Sequence, residues 1–441
     1  MKNRTLLSVA TILLLSASSL HAIKFETLGY KAISMGGASV ASSSSSVAVY
    51  NNPALLAKSP YTVEVSLSGG IGAYDHGVGA SVQKLDEIGF GNTARDVAED
   101  INTISDKDKV VLTEGTEIIL DMNGQSLTVT PQGYLGASVK GFGFGVFTGS
   151  DTAATAIVSE QHDKLYFKVE DPSHQDPDKY YDVLQYNPSD IANSPTVSES
   201  EYKAHSVQYA MDNGLTYLKV KGAVLGEVPI GYGHKFETNL GDFMVGGALK
   251  FMEALTYTDR LKIDQSGEED NAVRKEKQSA NFGVDLGFAY QPSFSYDLTF
   301  GLVAKNINAP EFDYQDGSKY KVNPLVRTGV AYSIFDSLEV AADLDLTKNA
   351  LLNDEVDSQM LGAGINYEPF SSIFALSLRG GLMHNLDTHD KAGLIYTAGL
   401  GIGVKWFQLD LSGQMSGGTS TVEGYSVPLY SKVNLALVSR W

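Results

Sequence analysis

Residues 321–349 read KVNPLVRTGVAYSIFDSLEVAADLDLTKN, and this stretch decides the fold. On either side of Phe335-Asp336-Ser337 its residues alternate with a period of two, which predicts a β-hairpin with an apolar and a polar face. The apolar face carries Val326, Thr328, Val330, Tyr332, Ile334, Leu338, Val340, Ala342, Leu344 and Leu346. The polar face carries Arg327, Glu339, Asp343 and Asp345 among small residues. A soluble sandwich buries its apolar face, whereas a membrane barrel turns that face to lipid and encloses a wet lumen; one hairpin leaves both open.

The composition excludes several classes of function. The 441 residues include 33 Lys and Arg against 52 Asp and Glu, a net charge of -19. This charge repels phosphate backbones, so nucleic acid is excluded as a partner. The absence of cysteine excludes structural disulfides, thiolate metal sites and a lipid-modified N-terminal cysteine. The 44 glycines and 23 tyrosines are typical of a sheet-rich protein with tight turns and interfacial aromatic residues.

The N-terminus predicts a cleaved secretory signal over residues 1–22. Lys2 and Arg4 precede an apolar run, Leu6–Leu15, and Leu20-His21-Ala22 forms a cleavage site that could slip to Ser18-Ser19. A membrane anchor is the alternative, but the run is shorter than the ~20 residues that a spanning helix needs. No other segment has an apolar run of that length, so we expect no transmembrane helix in the mature chain. Export of this kind is consistent with the outer membrane of a Gram-negative bacterium.

The chain after residue 60 predicts an all-β fold, a transmembrane antiparallel β-barrel of about fourteen strands over residues 61–441. The alternating segments are 61–74, 131–140, 143–159, 215–236, 241–264, 274–292, 295–309, 321–335, 337–349, 356–369, 373–386, 392–405, 406–418 and 429–441. Short and long connections alternate between them, as in outer-membrane barrels with short periplasmic turns and long extracellular loops. Segment boundaries leave counts of 12 or 16 open. The longest predicted extracellular loops are 75–130 and 160–214, and the second carries eleven Asp and Glu against four Lys.

The same alternation assigns faces to the other strands. Polar residues predicted to face the lumen are Arg327, Glu339, Asp343, Asp345, Arg379, Asp410 and Arg440. Aromatic residues cluster near strand ends, which favours an interfacial girdle next to outer-membrane lipids, although core packing could use them as well. The last strand ends in Trp441 after alternating apolar residues, which resembles the signal read by the barrel-assembly machinery. Ser439 departs from that signal.

Residues 23–60 are predicted to form a plug, or hatch, inside the lumen. They are rich in small residues, and apolar residues recur through them, which favours a packed segment; the serine run Ser42–Ser46 leaves a flexible linker as the alternative. A fourteen-strand barrel also encloses more space than strand side chains fill, since about eight strands is the filled case. The predicted plug residues are Gly36, Gly37, Asn52, Pro53 and Ala54.

Two stretches of this segment resemble the N-terminal signature of the FadL/TodX superfamily of outer-membrane transport barrels. They are GYKAISMGGASVA, residues 29–41, and YNNPA, residues 50–54. The form NPALLA at 52–57 is similar to the plasmid-transfer TraF-type barrel family, and residues 320–441 also resemble it. The resemblance implies uptake of a small hydrophobic molecule such as a long-chain fatty acid or hydrocarbon. The alternative is an accessory outer-membrane barrel of a plasmid-transfer or secretion system whose acidic loops bind a partner protein.

Enzymatic, metal and cofactor sites are not expected. Candidate metal ligands, His384 to Asp390 and Asp171 to Asp182 with His174, lie in predicted outer loops where exposed polar residues are usual. Gly399–Gly403 alternates as a strand and lacks the helix of a nucleotide loop. No catalytic set is evident, although a lipase-like barrel stays open because a triad need not be adjacent in sequence. In the 75–130 loop, Val97, Ile101 and Ile104 recur at helical spacing, which predicts a short helix that packs, caps the pore or lines a ligand groove.

Overall fold

Fourteen antiparallel strands close into one barrel. The computed structural model describes residues 27–169, 179–262, 275–350, 357–370, 374–388, 390–422 and 425–441. The barrel strands are β1 (Val63–Asp75), β2 (Ser126–Val139), β3 (Phe142–Ile157), β4 (Tyr217–Thr238), β5 (Gly241–Lys262), β6 (Lys275–Pro292), β7 (Leu298–Lys305), β8 (Leu325–Phe335), β9 (Leu338–Asp345), β10 (Met360–Phe370), β11 (Phe374–Asn385), β12 (Leu394–Val404), β13 (Phe407–Ser416) and β14 (Tyr430–Arg440). Each pairs with its neighbours in chain order. The predicted fold class and strand number are confirmed.

The last strand closes the barrel against the first. β14 pairs with β1 in a register that places Leu437 opposite Leu67, and the Trp441 N–H donates to the Val63 carbonyl oxygen at 2.9 Å. Closure leaves no free strand edge, so the backbone groups of the wall are hydrogen-bonded within the sheet. Recognition of this strand by the assembly machinery stays a prediction.

Side chains alternate between an apolar exterior and a polar interior along the strands. Exposed apolar residues point outward, such as Leu249 at 60% and Leu435 at 52% exposure, while their chain neighbours Lys250 and Asn434 are buried. A band of this kind is stable in hydrocarbon, because lipid solvates the apolar side chains. Among the described residues, no helix is both long enough and apolar enough to span a bilayer.

Short turns join strands at one end of the barrel, here called the turn end, and longer connections join them at the other, the loop end. Residues 76–125 contain helices α3 (Val78–Glu87), α4 (Phe90–Glu99) and α5 (Asp106–Asp121) and a 3-10 turn, Ile101–Thr103. Residues 158–216 contain α6 (Glu199–His205), α7 (Val207–Asp212) and the 3-10 turn Ile191–Asn193. Helices α1 and α2 precede the barrel and are described with the site below. Val97, Ile101 and Ile104 are buried in the loop core. Only Val97 lies on helix α4, because the helix ends at Glu99, Ile101 lies in the 3-10 turn and Ile104 follows that turn.

Four small hairpins that the sequence analysis did not predict also lie at the loop end, partly in the predicted loops and partly in the predicted strands 321–335, 337–349 and 356–369. They are Tyr166–Val169 with Lys179–Asp182, Glu311–Asp313 with Lys319–Lys321, Asn349–Ala350 with Asp357–Ser358, and Thr419–Val422 with Tyr425–Pro428. The predicted strand 321–335 therefore begins too early. Lys321 belongs to the second hairpin, and β8 begins at Leu325, after Pro324, which has no N–H for the ladder.

The outward face gives a direct prediction. Leu286→Arg on β6, where the leucine is 51% exposed, is expected to destabilise the barrel by ~2–4 kcal/mol, the cost of a cation at mid-bilayer. Val110→Arg is the control, because Val110 is 64% exposed on helix α5 at the loop end and outside the sheet. The heat-modifiability transition on gels measures both variants. Equal transitions would contradict the assignment of this face to lipid.

Candidate functional site: the filled lumen and the loop pocket

The N-terminal segment, residues 27–58, lies inside the barrel and is almost entirely buried. It consists of helix α1 (Tyr30–Ser34), helix α2 (Ser45–Asn51) and a 3-10 helix, Pro53–Lys58. Val47, Val49 and Leu56 pack with Tyr134 and Phe147 on the inner faces of β2 and β3. Residues 23–26 of the predicted plug, and the predicted signal, lie outside the described residues.

Asn52 fixes the path of this segment at its last turn. Its side-chain oxygen accepts from the Ala54 N–H at 3.1 Å, which caps the 3-10 helix that Pro53 begins. Its amide nitrogen donates to the Val40 carbonyl at 2.8 Å and to the Phe288 carbonyl of β6 at 3.2 Å. One side chain therefore joins two parts of the segment to the wall. Gly36 and Gly37 make the other tight turn, with φ of 64° and 83° that other residues rarely adopt.

Glycines on the inner wall allow the backbone of the N-terminal segment to touch the sheet. A Cβ on Gly246 of β5 would lie 2.3 Å from the Pro53 carbonyl carbon, and one on Gly364 of β10 would lie 2.5 Å from Met35 Cα. A Cβ on Gly362 would meet the Gly36 carbonyl oxygen at 1.7 Å. The wall is thus shaped to the segment at several strands, and a side chain at these positions has no room.

Wall carboxylates bind the backbone N–H groups of the segment. Asp343 accepts from Ser39 N at 2.7 Å and from Val40 N at 2.9 Å. Glu64 accepts from the backbone nitrogen of Ser46 at 2.9 Å and from its hydroxyl at 2.7 Å. Asp343 was predicted to face the lumen, whereas Glu64 was missed, although it lies on the face of β1 opposite the exposed Leu67.

The other predicted lumen residues all lie on the inner face, in ion pairs. Arg327 Nε donates to Asp345 Oδ1 at 2.5 Å, and Arg379 pairs with Asp410. Two further pairs lie toward the turn end: Arg440 Nε with Glu64 Oε2 at 3.2 Å, and Lys31 Nζ with Glu339 Oε1 at 3.0 Å.

The expectation of a wet lumen at these positions is wrong for most of them. Arg327, Asp343 and Asp345 are at most 5% exposed, because the N-terminal segment and neighbouring side chains replace water. Glu339 and Arg440 keep partial exposure, and they line a polar cavity of about 180 Å³ at the turn end. Burial also raises the pKa of the Tyr30 phenol, which accepts from Arg440 Nη2 at 2.7 Å.

A belt of buried charges crosses the wall above the N-terminal segment, toward the loop end. It is called the ion belt here and consists of Glu227, Lys250, Asp285, Lys305, Arg327 and Asp345, from six consecutive strands, β4 to β9. Lys250 Nζ lies 3.0 Å from Glu227 Oε2 and 3.1 Å from Asp285 Oδ2, with all three side chains at most 7% exposed. Lys305 Nζ lies 3.2 Å from the centre of the Tyr50 ring, so the belt also contacts helix α2.

The belt is electrically balanced, with three cations and three carboxylates. Buried charges of this kind are stable only when each is paired, because desolvation of an isolated ion costs several kcal/mol. The sequence analysis missed Glu227, Lys250, Asp285 and Lys305. The period-two signal that identified Arg327 was present for them too, since Lys250 lies between the outward Leu249 and Phe251.

An apolar pocket of about 300 Å³, called the loop pocket, lies between the two long loops. It is lined by Leu85, Phe90, Gly91, Ala94, Arg95, Ala98, Ile119, Leu165, Phe167, Val207, Gln208, Met211 and Asp212. The surrounding loops are acidic: residues 76–125 hold ten Asp and Glu against four Lys and Arg. The sequence analysis predicted a helix here. Helix α4 lines the pocket through Phe90, Ala94 and Ala98, whereas Val97 of the same helix is buried in the loop core.

Metal ligation finds no support among the described residues, where no cluster of three or more His, Asp or Glu could hold an ion. His384 Nδ1 instead lies 3.0 Å from the Gly393 carbonyl oxygen. His389, and the candidates from Asp171 to Asp178 with His174, lie outside the described residues.

Several proteins of known structure are similar to this chain. The Ralstonia pickettii toluene transporter TbuX is 12% identical, with a TM-score of 0.48, and the match covers 95% of this chain and 99% of that chain. The Pseudomonas putida toluene transporter TodX is 12% identical, with a TM-score of 0.47 and coverage of 95% and 98%. A Pseudomonas aeruginosa FadL homologue is 10% identical, with a TM-score of 0.44 and coverage of 96% and 99%.

Sequence comparison identifies the family. No curated protein matches the chain. The family model described as "F plasmid transfer operon, TraF, protein" matches residues 49–345, which is more than half of the 441 residues. The match includes the end of the N-terminal segment, the ion belt and strands β8 and β9 of the quoted hairpin, and it confirms the family resemblance found in the sequence. The chain belongs to the family described as F plasmid transfer operon, TraF, protein.

Proposed function

We propose that this chain is an outer-membrane barrel that takes up small hydrophobic molecules, with residues 27–58 as a plug that closes the lumen. The observation that carries the proposal is the loop pocket, an apolar cavity at the end of the barrel that bears the long loops. Apolar cavities with a few polar groups at their edge are the usual sites for small organic ligands. Burial of the N-terminal segment supports the second part, because the segment lies inside the barrel and its backbone touches the wall at Gly246, Gly362 and Gly364.

The size of the pocket suits a compact ligand. An engineered protein cavity of about 150 Å³ holds benzene, so about 300 Å³ accommodates a molecule of about two to three rings or a short alkyl chain. Arg95 contacts Asp96 and Asn92 at the edge of the pocket, at 3.2 and 3.3 Å. This arrangement, within acidic loops, favours neutral ligands over carboxylates.

Ala94→Trp is expected to fill the pocket and weaken binding of N-phenyl-1-naphthylamine by about tenfold or more, equivalent to about 1.4 kcal/mol. The dye fluoresces in apolar sites, and its titration into barrel held in amphipol, with empty amphipol subtracted, measures the affinity. Glu99→Trp is the matched control, since Glu99 is exposed on the same helix, α4, and does not line the pocket. Equal dye affinity in the two variants would contradict a ligand role for the pocket.

A second candidate function is an accessory role in plasmid transfer, favoured by the family description. A groove of about 310 Å³ on the loop surface supports it, because Val110 and Leu184 are exposed there beside Glu114 and Glu117. A partner with basic and apolar residues fits that surface. The dye titration separates the two functions: unmodified barrel that binds no dye at all would favour the accessory role.

A further inference from the structure

The hairpin between β7 and β8 folds back into the barrel. Its two strands are Glu311–Asp313 and Lys319–Lys321, residues 306–310 lead into it, and residues 322–324 lead out of it. It is called the inner hairpin here, residues 310–322. Phe312, Tyr314, Tyr320 and Val322 are between 1% and 8% exposed, although they belong to a connection at the loop end. Its tip, residues 315–319, is exposed. The inner hairpin therefore has a solvent-facing tip and an apolar base within the lumen.

The base occupies an apolar recess of the inner wall. The recess is formed by Ala153, Ala223, Leu225, Met252 and Ala254, which belong to β3, β4 and β5. Leu225 and Met252 are two residues from Glu227 and Lys250, so the recess lies directly next to the ion belt on its loop side. Three of the five wall residues are alanine, and these small side chains provide the space that the aromatic rings fill.

The polar contacts that join the inner hairpin to the strands include side chains of β5 and β6. Thr256 Oγ1 donates to the Asp313 carbonyl oxygen at 2.6 Å, and Asp313 N donates to Ser279 Oγ at 3.2 Å. Asn281 Nδ2 donates to the Glu311 carbonyl oxygen at 3.0 Å. The barrel ladder makes no pair with the inner hairpin, whose two strands pair only with each other. Its release would break side-chain contacts and leave the sheet intact.

The chain enters the inner hairpin through two left-handed residues. Asn306 and Ala309 have φ of 52° and 46°, and for alanine this conformation is unfavourable. Asn306 is fixed by the ion belt: Lys250 Nζ donates to Asn306 Oδ1 at 2.6 Å, and Asn306 N donates to Asp285 Oδ1 at 2.8 Å. The belt thus holds the first of the two residues in place, and rotation at Ala309 would relieve strain as the hairpin moves.

We propose that the inner hairpin is a gate and that the recess behind it is a second ligand site, for a neutral, compact, apolar molecule. The aromatic rings of Phe312 and Tyr320 occupy this site in the closed state, and a ligand replaces them when the hairpin leaves. The recess residues Ala153, Ala223, Leu225, Met252 and Ala254 are all apolar, so this lining favours an apolar molecule over a charged one. The recess is separate from the loop pocket. The proposal rests on the proposed uptake function in one respect, namely that the ligand crosses the barrel.

Removing the two rings tests the second site. Phe312→Ala with Tyr320→Ala is expected to bind one more equivalent of N-phenyl-1-naphthylamine per barrel than the unmodified chain. Lys319→Ala with Lys321→Ala, exposed on the same hairpin, is the control and keeps the original stoichiometry. The titration is repeated with Ala94→Trp added, which weakens dye binding in the loop pocket, so that failure of the proposed function can be told apart from failure of the recess. An unchanged stoichiometry in both backgrounds would overturn the recess as a site.

Tying the inner hairpin to the wall tests the gate. The chain has no cysteine, so Ser279→Cys with Asp313→Cys introduces a single possible disulfide bond. The two positions are close, because Ser279 Oγ lies 3.2 Å from the Asp313 backbone nitrogen. With the bridge closed, entry of the dye into Gram-negative cells carrying the barrel should fall by about tenfold or more and return on reduction, with loop-pocket affinity unchanged.

Glu311→Cys with Lys321→Cys is the control for the bridge, because these paired residues join the two strands of the hairpin without joining it to the wall. This variant should admit dye at the normal rate whether oxidised or reduced. If the wall bridge does not form by mass spectrometry, a bis-maleimide linker joins the same two cysteines. Normal entry with the hairpin held to the wall would overturn the gate.

Discussion

Lys250→Met is expected to lower the free energy of unfolding by about 3–5 kcal/mol, because it leaves two carboxylates buried without their cation. Glu227 and Asp285 both lie within 3.1 Å of the Lys250 ammonium, and that side chain has no solvent exposure. Methionine matches the length of lysine, so loss of packing contributes little. The heat-modifiability transition of purified barrel measures the change.

Two controls separate the charge effect from simple substitution. Lys235→Met removes an ammonium that pairs with Glu237 and Asp242 but is 37% exposed, and exposed pairs of this kind contribute ~0–1 kcal/mol. The triple variant Lys250→Met, Glu227→Gln, Asp285→Asn removes all three charges and should recover much of the loss. A Lys250→Met barrel as stable as the Lys235→Met barrel would show that the belt is not a paired charge network.

Gly246→Leu is expected to displace the N-terminal segment and give a barrel that conducts ions. A Cβ at this position would lie within 2.4 Å of three backbone atoms of Pro53 and Ala54, and backbone cannot move aside as a flexible side chain can. The sheet can still form, since those three close contacts are to the segment and not to the wall. Planar-bilayer recording should show openings that are absent from the unmodified protein.

Gly247→Leu is the matched control on the same strand. Its Cβ would point outward, with no heavy atom nearer than 3.7 Å, so the leucine adds one more apolar side chain to the lipid-facing surface. This variant should stay closed. Equal conductance from the two variants, or none from either, would mean that the contact of Gly246 with Pro53 does not seal the lumen.

Much of the barrel follows from local sequence. Each of the fourteen strands is marked by its own alternation, and the short turns are marked by pairs such as Lys140-Gly141, both in left-handed conformation. Arg327 and Asp345 were placed on one face by the same period, and the structure pairs them. Alternation predicts the strands here because every strand has lipid on its outer face and protein on its inner face. Apolar and polar residues therefore alternate along all of them.

Other parts depend on contacts that no local pattern records. In the sequence, Asp343 resembles any other carboxylate that faces the lumen. The structure shows that it accepts from the backbone N–H groups of Ser39 and Val40, about three hundred residues earlier in the chain, and not from water. Residues 310–320 of the inner hairpin fall between two predicted strands, and the sequence analysis gave no indication that this connection folds inward. Its inward direction depends on the left-handed turn at Asn306, which Lys250 and Asp285 hold from other strands.

The glycine-lined wall constrains the order of events during biogenesis. Residues 27–58 precede every barrel strand in the chain, and β14 is the last strand. With Gly246, Gly362 and Gly364 in backbone contact with the segment, a finished cylinder has no clearance through which it could be threaded. We infer that the sheet assembles around the N-terminal segment. Strand β14 pairs with β1 and closes the barrel only after the segment is in place.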